Sequence, residues 1–244
     1  RLTANDHILT VLLPSGVTLR MLEIPAGSFT IGSPDGEAGH DDNEGPAHVV
    51  TISQPFLIGE TEVTQDQWLS YADPFFDPLQ SGQFSFYNTS FFWGDGRRPV
   101  ERVGWNDIMG VFGYVAWLNN LPAPQLQDSF VGVFNLPTEA QWEYACRAGS
   151  SGPYSGDLGT NAWFKPNSQG RPHAVSLKSA NAWGLYDMHG NVFEWVRDDL
   201  GQYVAGAVVD PIGVPTGMAV IRGGSWNQPK AGLRSAYRRA FNPN

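Results

Sequence analysis

With a single cysteine, Cys146, in 244 residues, the chain cannot close an internal disulfide. Stapling of a small scaffold is thereby excluded, and the redox compartment stays open. Cys146 follows Trp142 and Tyr144 in a predicted helix and reads as a small buried apolar residue, not a reactive thiol. No apolar run approaches the roughly 20 residues that a membrane-spanning helix needs, so no membrane span is expected. Basic residues are outnumbered: the net charge is −9 and the pI near 4.9, against the clustered positive surface that nucleic acid requires. A Gly-x-Ser-x-Gly elbow is absent, which removes the usual signature of a serine hydrolase. The chain starts at Arg1 and not at methionine, leaving a preceding signal, anchor or domain open.

What is present is a loop-rich composition. Glycine numbers 28 and proline 18, charged residues make up 16% and aromatics 13%, so the core leans on rings more than on long aliphatic helices. Ile8–Leu13 and Met21–Ile24, split by Pro14-Ser15-Gly16, predict a hairpin, and His48–Ile52 predicts a strand. Ser33–Ala47 reads as a solvated acidic loop; His40, Asp41, Asp42, Glu44 and His48 within and beside it fit no metal-ligand spacing. Thr64 with Gln67, and Thr138 with Gln141, form capping boxes that start helices. Asn106 or Asp107 is placed to cap a helix over Ile108–Leu118, with Ile108, Val111, Phe112, Val115 and Leu118 on its core face. The aromatic-rich stretch Asp73–Arg98 predicts a satellite core, with an exposed interaction surface as the alternative.

Three longer motifs carry more information. They are Leu136-Pro137-Thr138-Glu139-Ala140-Gln141-Trp142-Glu143-Tyr144, the run Gly184–Trp195, and Arg222-Gly223-Gly224-Ser225-Trp226 followed, after seven intervening residues, by Arg234-Ser235-Ala236-Tyr237-Arg238. Together they resemble the formylglycine-generating, or sulfatase-modifying, enzyme family from about Met21 to Pro243. The resemblance implies an α+β fold, a loop-rich variant of the C-type lectin fold with short strands and a few helices, forming one domain over residues 1–244.

In that family the Gly-Leu-Tyr-Asn/Asp-x-x-Gly-Asn-x-x-Glu-Trp segment binds calcium. Carried over, the ligands would be the Asp187 and Glu194 carboxylates and the Gly190 and Val192 carbonyls. Such an all-oxygen set suits a hard cation, and calcium is the expected cofactor. The alternative is that both carboxylates only bond nearby amides. A second calcium site of the family, near Asn161 and Ala162, looks damaged, because Trp163–Val175 carries no acidic residue.

The enzymes of the family use two cysteines that bind copper. The corresponding positions here are Gln228 and Leu233, which offer no thiolate. Copper is not expected, and no catalytic residue is assigned. One branch of the family comprises hypervariable proteins diversified by retroelements, with the frame Arg-Gly-Gly-Ser-Trp, variable residues, Arg-Ser-Ala-Tyr-Arg, further variable residues and a proline. This chain follows that form, with residues 227–233 and 239–242 as the inserts before Pro243. The inserts show no period of 2 or 3.6 and do not read as core strands or helices. Adenine mutation of asparagine codons reaches Asn, Pro, Gly, Leu, Arg, Ala and Phe, but Gln228 and Lys230 less readily.

The expectation is therefore a non-enzymatic ligand-binding protein whose variable segment is 226–242, contacting its ligand through Trp226, Asn227, Pro229, Gly232, Leu233, Arg239, Ala240 and Phe241. Trp226, Arg239 and Phe241 are the anchors to test first. The partner would be a protein or surface ligand, with cell-surface or secreted display. Drift of an inactive member would give the same surface as programmed diversity. The enzymatic alternative is an oxygen-using oxidoreductase of the family with replaced ligands.

Overall fold

The computed structural model describes residues 8–73, 89–122 and 132–243. Among these, three small sheets and five short helices alternate with long loops. Strands β1 (Ile8–Leu12) and β2 (Thr18–Ile24) form the predicted hairpin, and β2 also pairs with β5 (Phe56–Gly59). A second sheet joins β3 (Gly27–Ile31) antiparallel to β4 (His48–Ile52), and β4 parallel to β7 (Val208–Val209). The third has β8 (Ala219–Arg222) between β6 (Glu194–Asp199) and β9 (Arg239–Phe241).

Both predicted capping boxes form. Thr64 starts α1 (Gln65–Ala72) and Thr138 starts α4 (Glu139–Arg147), each hydroxyl accepting from the amide of the glutamine three residues on while that side chain accepts from the cap amide. The third helix is different. Glycines 110 and 113 divide it into α2 (Trp105–Met109) and α3 (Tyr114–Asn119). Its start moves to Gly104, whose amide donates to the Asp107 side chain. The break splits the expected stripe: Leu118 is buried and Ile108 and Val115 pack beside it, while Val111 and Phe112, in the connecting turn, are 86% and 90% exposed. A 3.6-residue period cannot persist across a turn that glycine makes cheap.

Two apolar clusters organise the interior. One gathers α4 (Ala140, Trp142, Ala145, Cys146) against Ile31, Val50, Val196 and Val220 of the second and third sheets. The other packs β1 and β2 on Trp68, Tyr114 and Leu118. In the aromatic-rich stretch, residues 74–88, with Phe75, Phe76, Phe84, Phe86 and Tyr87, lie outside the described residues. Of the remainder, Phe91 and Trp93 are exposed and Phe92 meets Trp226 edge-on, at 5.6 Å between ring centres.

The acidic loop is not simply solvated. A 3-10 turn at Asp42–Glu44, capped by Asp41, turns Glu44 fully inward, where Ser33 Oγ donates to it at 2.6 Å. The carboxylate faces inward because a buried arginine meets it there.

Candidate functional site: an exposed segment on a buried arginine frame

The two Arg-rich motifs do not face a ligand; they hold the C-terminal segment from beneath. Arg222, at the end of β8, is fully buried, pairs with Glu143 of α4, and donates to the carbonyls of Ser235, Ala236 and Tyr237, each at 2.8 Å. Arg234 reaches down to Glu44 and Glu37 and to the Gly39 carbonyl. Arg238 grips Glu139 of α4 at 2.8 and 2.5 Å and the carbonyls of Asn43 and Gly201. Planar guanidinium forks matched to carboxylates suit such buried clamps, since each N–H needs an acceptor when water is excluded. The Gly223-Gly224 pair has φ of +85° and +78°, and a Cβ on Gly224 would fall 2.4 Å from the Gly232 carbonyl oxygen. Glycine lets β8 turn into the loop at a spacing no side chain permits.

Between these clamps the chain surfaces. Asn227, Pro229, Lys230 and Ala231 are exposed, as are Arg239, Phe241 and Asn242, while Trp226, Gln228 and Ala240 are half-buried. Gly232 and Leu233, read from sequence as ligand contacts, lie inside. Leu233 is wholly buried against Leu158 of α5 (Leu158–Asn161) and Ala162, with Tyr154 and Phe164 alongside. A leucine has no reason to stay at a surface when an apolar pocket lies under it, so these two residues form the floor of the segment. The inserts are also more regular than their composition suggests: Lys230–Leu233 makes a 3-10 turn, and Arg239–Phe241 is β9, pairing with Ile221, Val220 and Ala219 at an open sheet edge. Main-chain bonds, not side-chain periodicity, define that strand.

Beneath the segment sits the turn 187–194. The Gly190 amide donates to the Gly223 carbonyl at 2.9 Å, the Trp226 amide to that of Asn191 at 2.8 Å, and His189 Nδ1 lies 2.8 Å from that of Leu233. Asp187 and Asn191 hold left-handed φ values of 58° and 55°, and a Cβ on Gly190 would fall 2.2 Å from the Trp163 carbonyl oxygen. This tight geometry collects carboxylates. Asp187 Oδ2 accepts from the Ser176 amide at 2.8 Å, while its Oδ1 is buried without a partner. Glu194 Oε2 accepts from Trp142 Nε1 at 3.0 Å.

Glu62, which sequence reasoning missed, completes the group. It accepts from Asn191 Nδ2 at 2.6 Å and the Val192 amide at 2.9 Å. Burial pushes the Glu194 carboxyl up to about 7 and Asp187 up to about 6; burial, reinforced by Asp187 and Glu194, holds Glu62 well above the usual range. Nothing marked Glu62 in the sequence, since a lone glutamate between threonine and valine reads as a surface residue. Among the described residues, no three His, Cys, Asp or Glu side chains are gathered closely enough to hold an ion alone. Peptide oxygens at Gly190 and Val192 would have to complete the set. The one feature here that suits a hard cation is Asp187 Oδ1, buried without a partner beside the peptide oxygens of the turn.

Cys146 is buried 3.7–3.9 Å from Ser235 Oγ, the Met188 carbonyl and both nitrogens of His189. Burial pushes its thiol up to about 12 and His189 down to about 4, so at neutral pH both are uncharged packing groups. The structure places no cysteine at 228 or 233, where the thiolate pair of the related enzymes would fall. Among the described residues, no helix is long and apolar enough to cross a membrane.

The chain belongs to the family of the sulfatase-modifying factor enzyme 1-like domain, whose model matches residues 14–244. It is 30% identical over 269 residues to the inactive C-alpha-formylglycine-generating enzyme 2 of Bos taurus, covering 88% of this chain and 78% of that protein. It is 28% identical to the serine/threonine-protein kinase pkn1 of Chlamydia pneumoniae over 94% of this chain, but spans only 36% of that protein's length. Among solved structures, Treponema denticola variable protein 1 superimposes with a TM-score of 0.74 at 27% identity, covering 97% of this chain and 94% of that one. The fold is thus the α+β, C-type-lectin-like fold of the formylglycine-generating enzymes, in a form similar to a variable protein.

Proposed function

We propose that this chain is a non-enzymatic ligand-binding protein, diversified by a retroelement, that recognises a protein or surface ligand through residues 226–231 and 239–242. One observation carries the reading: the exposed insert residues alternate with buried arginines clamped to Glu44, Glu139 and Glu143. A surface whose backbone is held by charges beneath it can change its side chains without losing its shape. The likeness to a variable protein supports the same reading. Cell-surface or secreted display suits a receptor of this kind. Calcium at Asp187, Gly190, Val192 and Glu194 would neutralise the crowded carboxylates and stiffen the turn to which Gly223 and Trp226 are bonded.

The test is a search of the gene's neighbourhood for a second, near-identical copy of the 226–244 coding segment, differing only at adenines. Finding it, together with no copper uptake and no conversion of a cysteine-containing client peptide to formylglycine, is the expected result. Copper-dependent conversion of that peptide would overturn the reading in favour of the enzyme.

A further inference from the structure

A cavity of about 200 Å³ lies at the seam between the two apolar clusters, away from the C-terminal segment, none of whose residues 226–242 lines it. Its walls are mostly apolar, with Val100 and Leu118 among them, and Glu62 and Glu194 also contribute to the lining. Two further lining residues are anomalous. Trp68 and Tyr114 are each only 4% exposed, yet the Trp68 indole Nε1–H and the Tyr114 hydroxyl have no hydrogen-bond partner. The two rings stack with centres 5.5 Å apart and form one aromatic side of the cavity.

Buried donors almost always find acceptors, because leaving one unmade forfeits its solvation without return. Other buried donors, such as Trp105 Nε1 and Trp163 Nε1, also lack a partner, but Trp68 and Tyr114 are the two whose residues line one cavity. We infer that the cavity is a binding site for a small uncharged molecule with an apolar skeleton and a hydrogen-bond acceptor, such as an aryl or alkyl ketone. Size fits this class: a dry apolar cavity of about 150 Å³ takes a benzene ring, and the space here adds room for a small substituent. Any unpaired charge, an anion included, is disfavoured by desolvation in this mostly apolar space. Glu62 and Glu194 are already engaged and do not serve the orphans, since Glu62 holds Asn191 and Val192 and Glu194 holds Trp142.

The experiment uses the whole chain, ¹⁵N-labelled at tryptophan, titrated with acetophenone, with ethylbenzene as a probe of equal size without an acceptor, and with benzoate. The Trp68 indole resonance is identified by its loss in Trp68→Phe. Acetophenone should move that resonance saturably, ethylbenzene should bind more weakly, and benzoate should not bind. Tyr114→Phe should retain or raise the melting temperature, because it deletes an orphaned hydroxyl, yet weaken acetophenone binding by about fivefold. If that variant fails to fold, Trp68→Phe tests the same wall by thermal shift: loss of the preference for acetophenone is expected, and its retention overturns the inference. The inference is also overturned if neither aromatic probe binds saturably, which would make the void a structural or water-filled one. It is equally overturned if ethylbenzene binds as tightly as acetophenone and Tyr114→Phe changes nothing.

Discussion

Arg234 and Glu44, 190 positions apart in sequence, meet fork to fork, with both guanidinium nitrogens 2.6 Å from the two carboxylate oxygens and neither side chain more than 1% exposed. This pair ties the middle of the C-terminal segment to the acidic loop near the N-terminus. It also explains why that loop, acidic as it is, turns a carboxylate inward. Removing Arg234 leaves the buried Glu44 carboxylate without its guanidinium, which typically costs about 3–5 kcal/mol, whereas removing Glu44 leaves Arg234 still paired with Glu37. Arg234→Ala should destabilise by that order in urea unfolding and Glu44→Ala by less, while Asn227→Ala and Lys230→Ala should stay within about 0.5 kcal/mol.

The carboxylate turn makes a prediction about metal. Without an ion, the raised Asp187 and Glu194 groups hold protons in the folded state that the unfolded chain has already released. Their contribution to stability is therefore present below the ordinary carboxylate range, near pH 4. It is lost as pH rises through about 6 and 7. Calcium competes with those protons, so it should raise the melting temperature strongly at pH 8 and little at pH 5, and chelation should reverse the gain. Glu194→Gln should abolish the response; an equal calcium effect in that variant would remove the site.

A second pH effect is local to α1. Burial, aided by nearby Asp95, pushes Asp66 up to about 6, and its Oδ1 is buried without a partner. With a folded value above the unfolded 3.8, this group stabilises the protein below about pH 4 and loses that contribution as pH rises through about 6. Asp66→Asn should flatten this part of the stability–pH curve and raise the melting temperature at pH 7. A decline of unchanged slope in the variant would assign it elsewhere.

The helix starts at Thr64 and Thr138 were legible because a capping box is a local device, complete within four residues. Thr138→Ala should cost about 1 kcal/mol, read from urea unfolding. The two-glycine break between Met109 and Tyr114 was hidden by a run of apolar residues whose spacing imitated a continuous helix face. The frame arginines were visible as motifs, but their role was not, since their partners Glu44, Glu139 and Glu143 come from distant elements. Glu62 and the burial of Leu233 were invisible for the same reason: each is decided by what the fold brings against it.

The most direct test of a variable surface on a fixed frame is to sequence this gene across many natural isolates and map every amino-acid difference onto the structure. Differences are expected to concentrate at the exposed positions among 227–231 and 239–242, with Arg222, Leu233, Arg234, Arg238 and their glutamate partners unchanged. Differences spread evenly over the surface of the protein, with the C-terminal segment no more variable than the rest, would contradict a diversified binding surface.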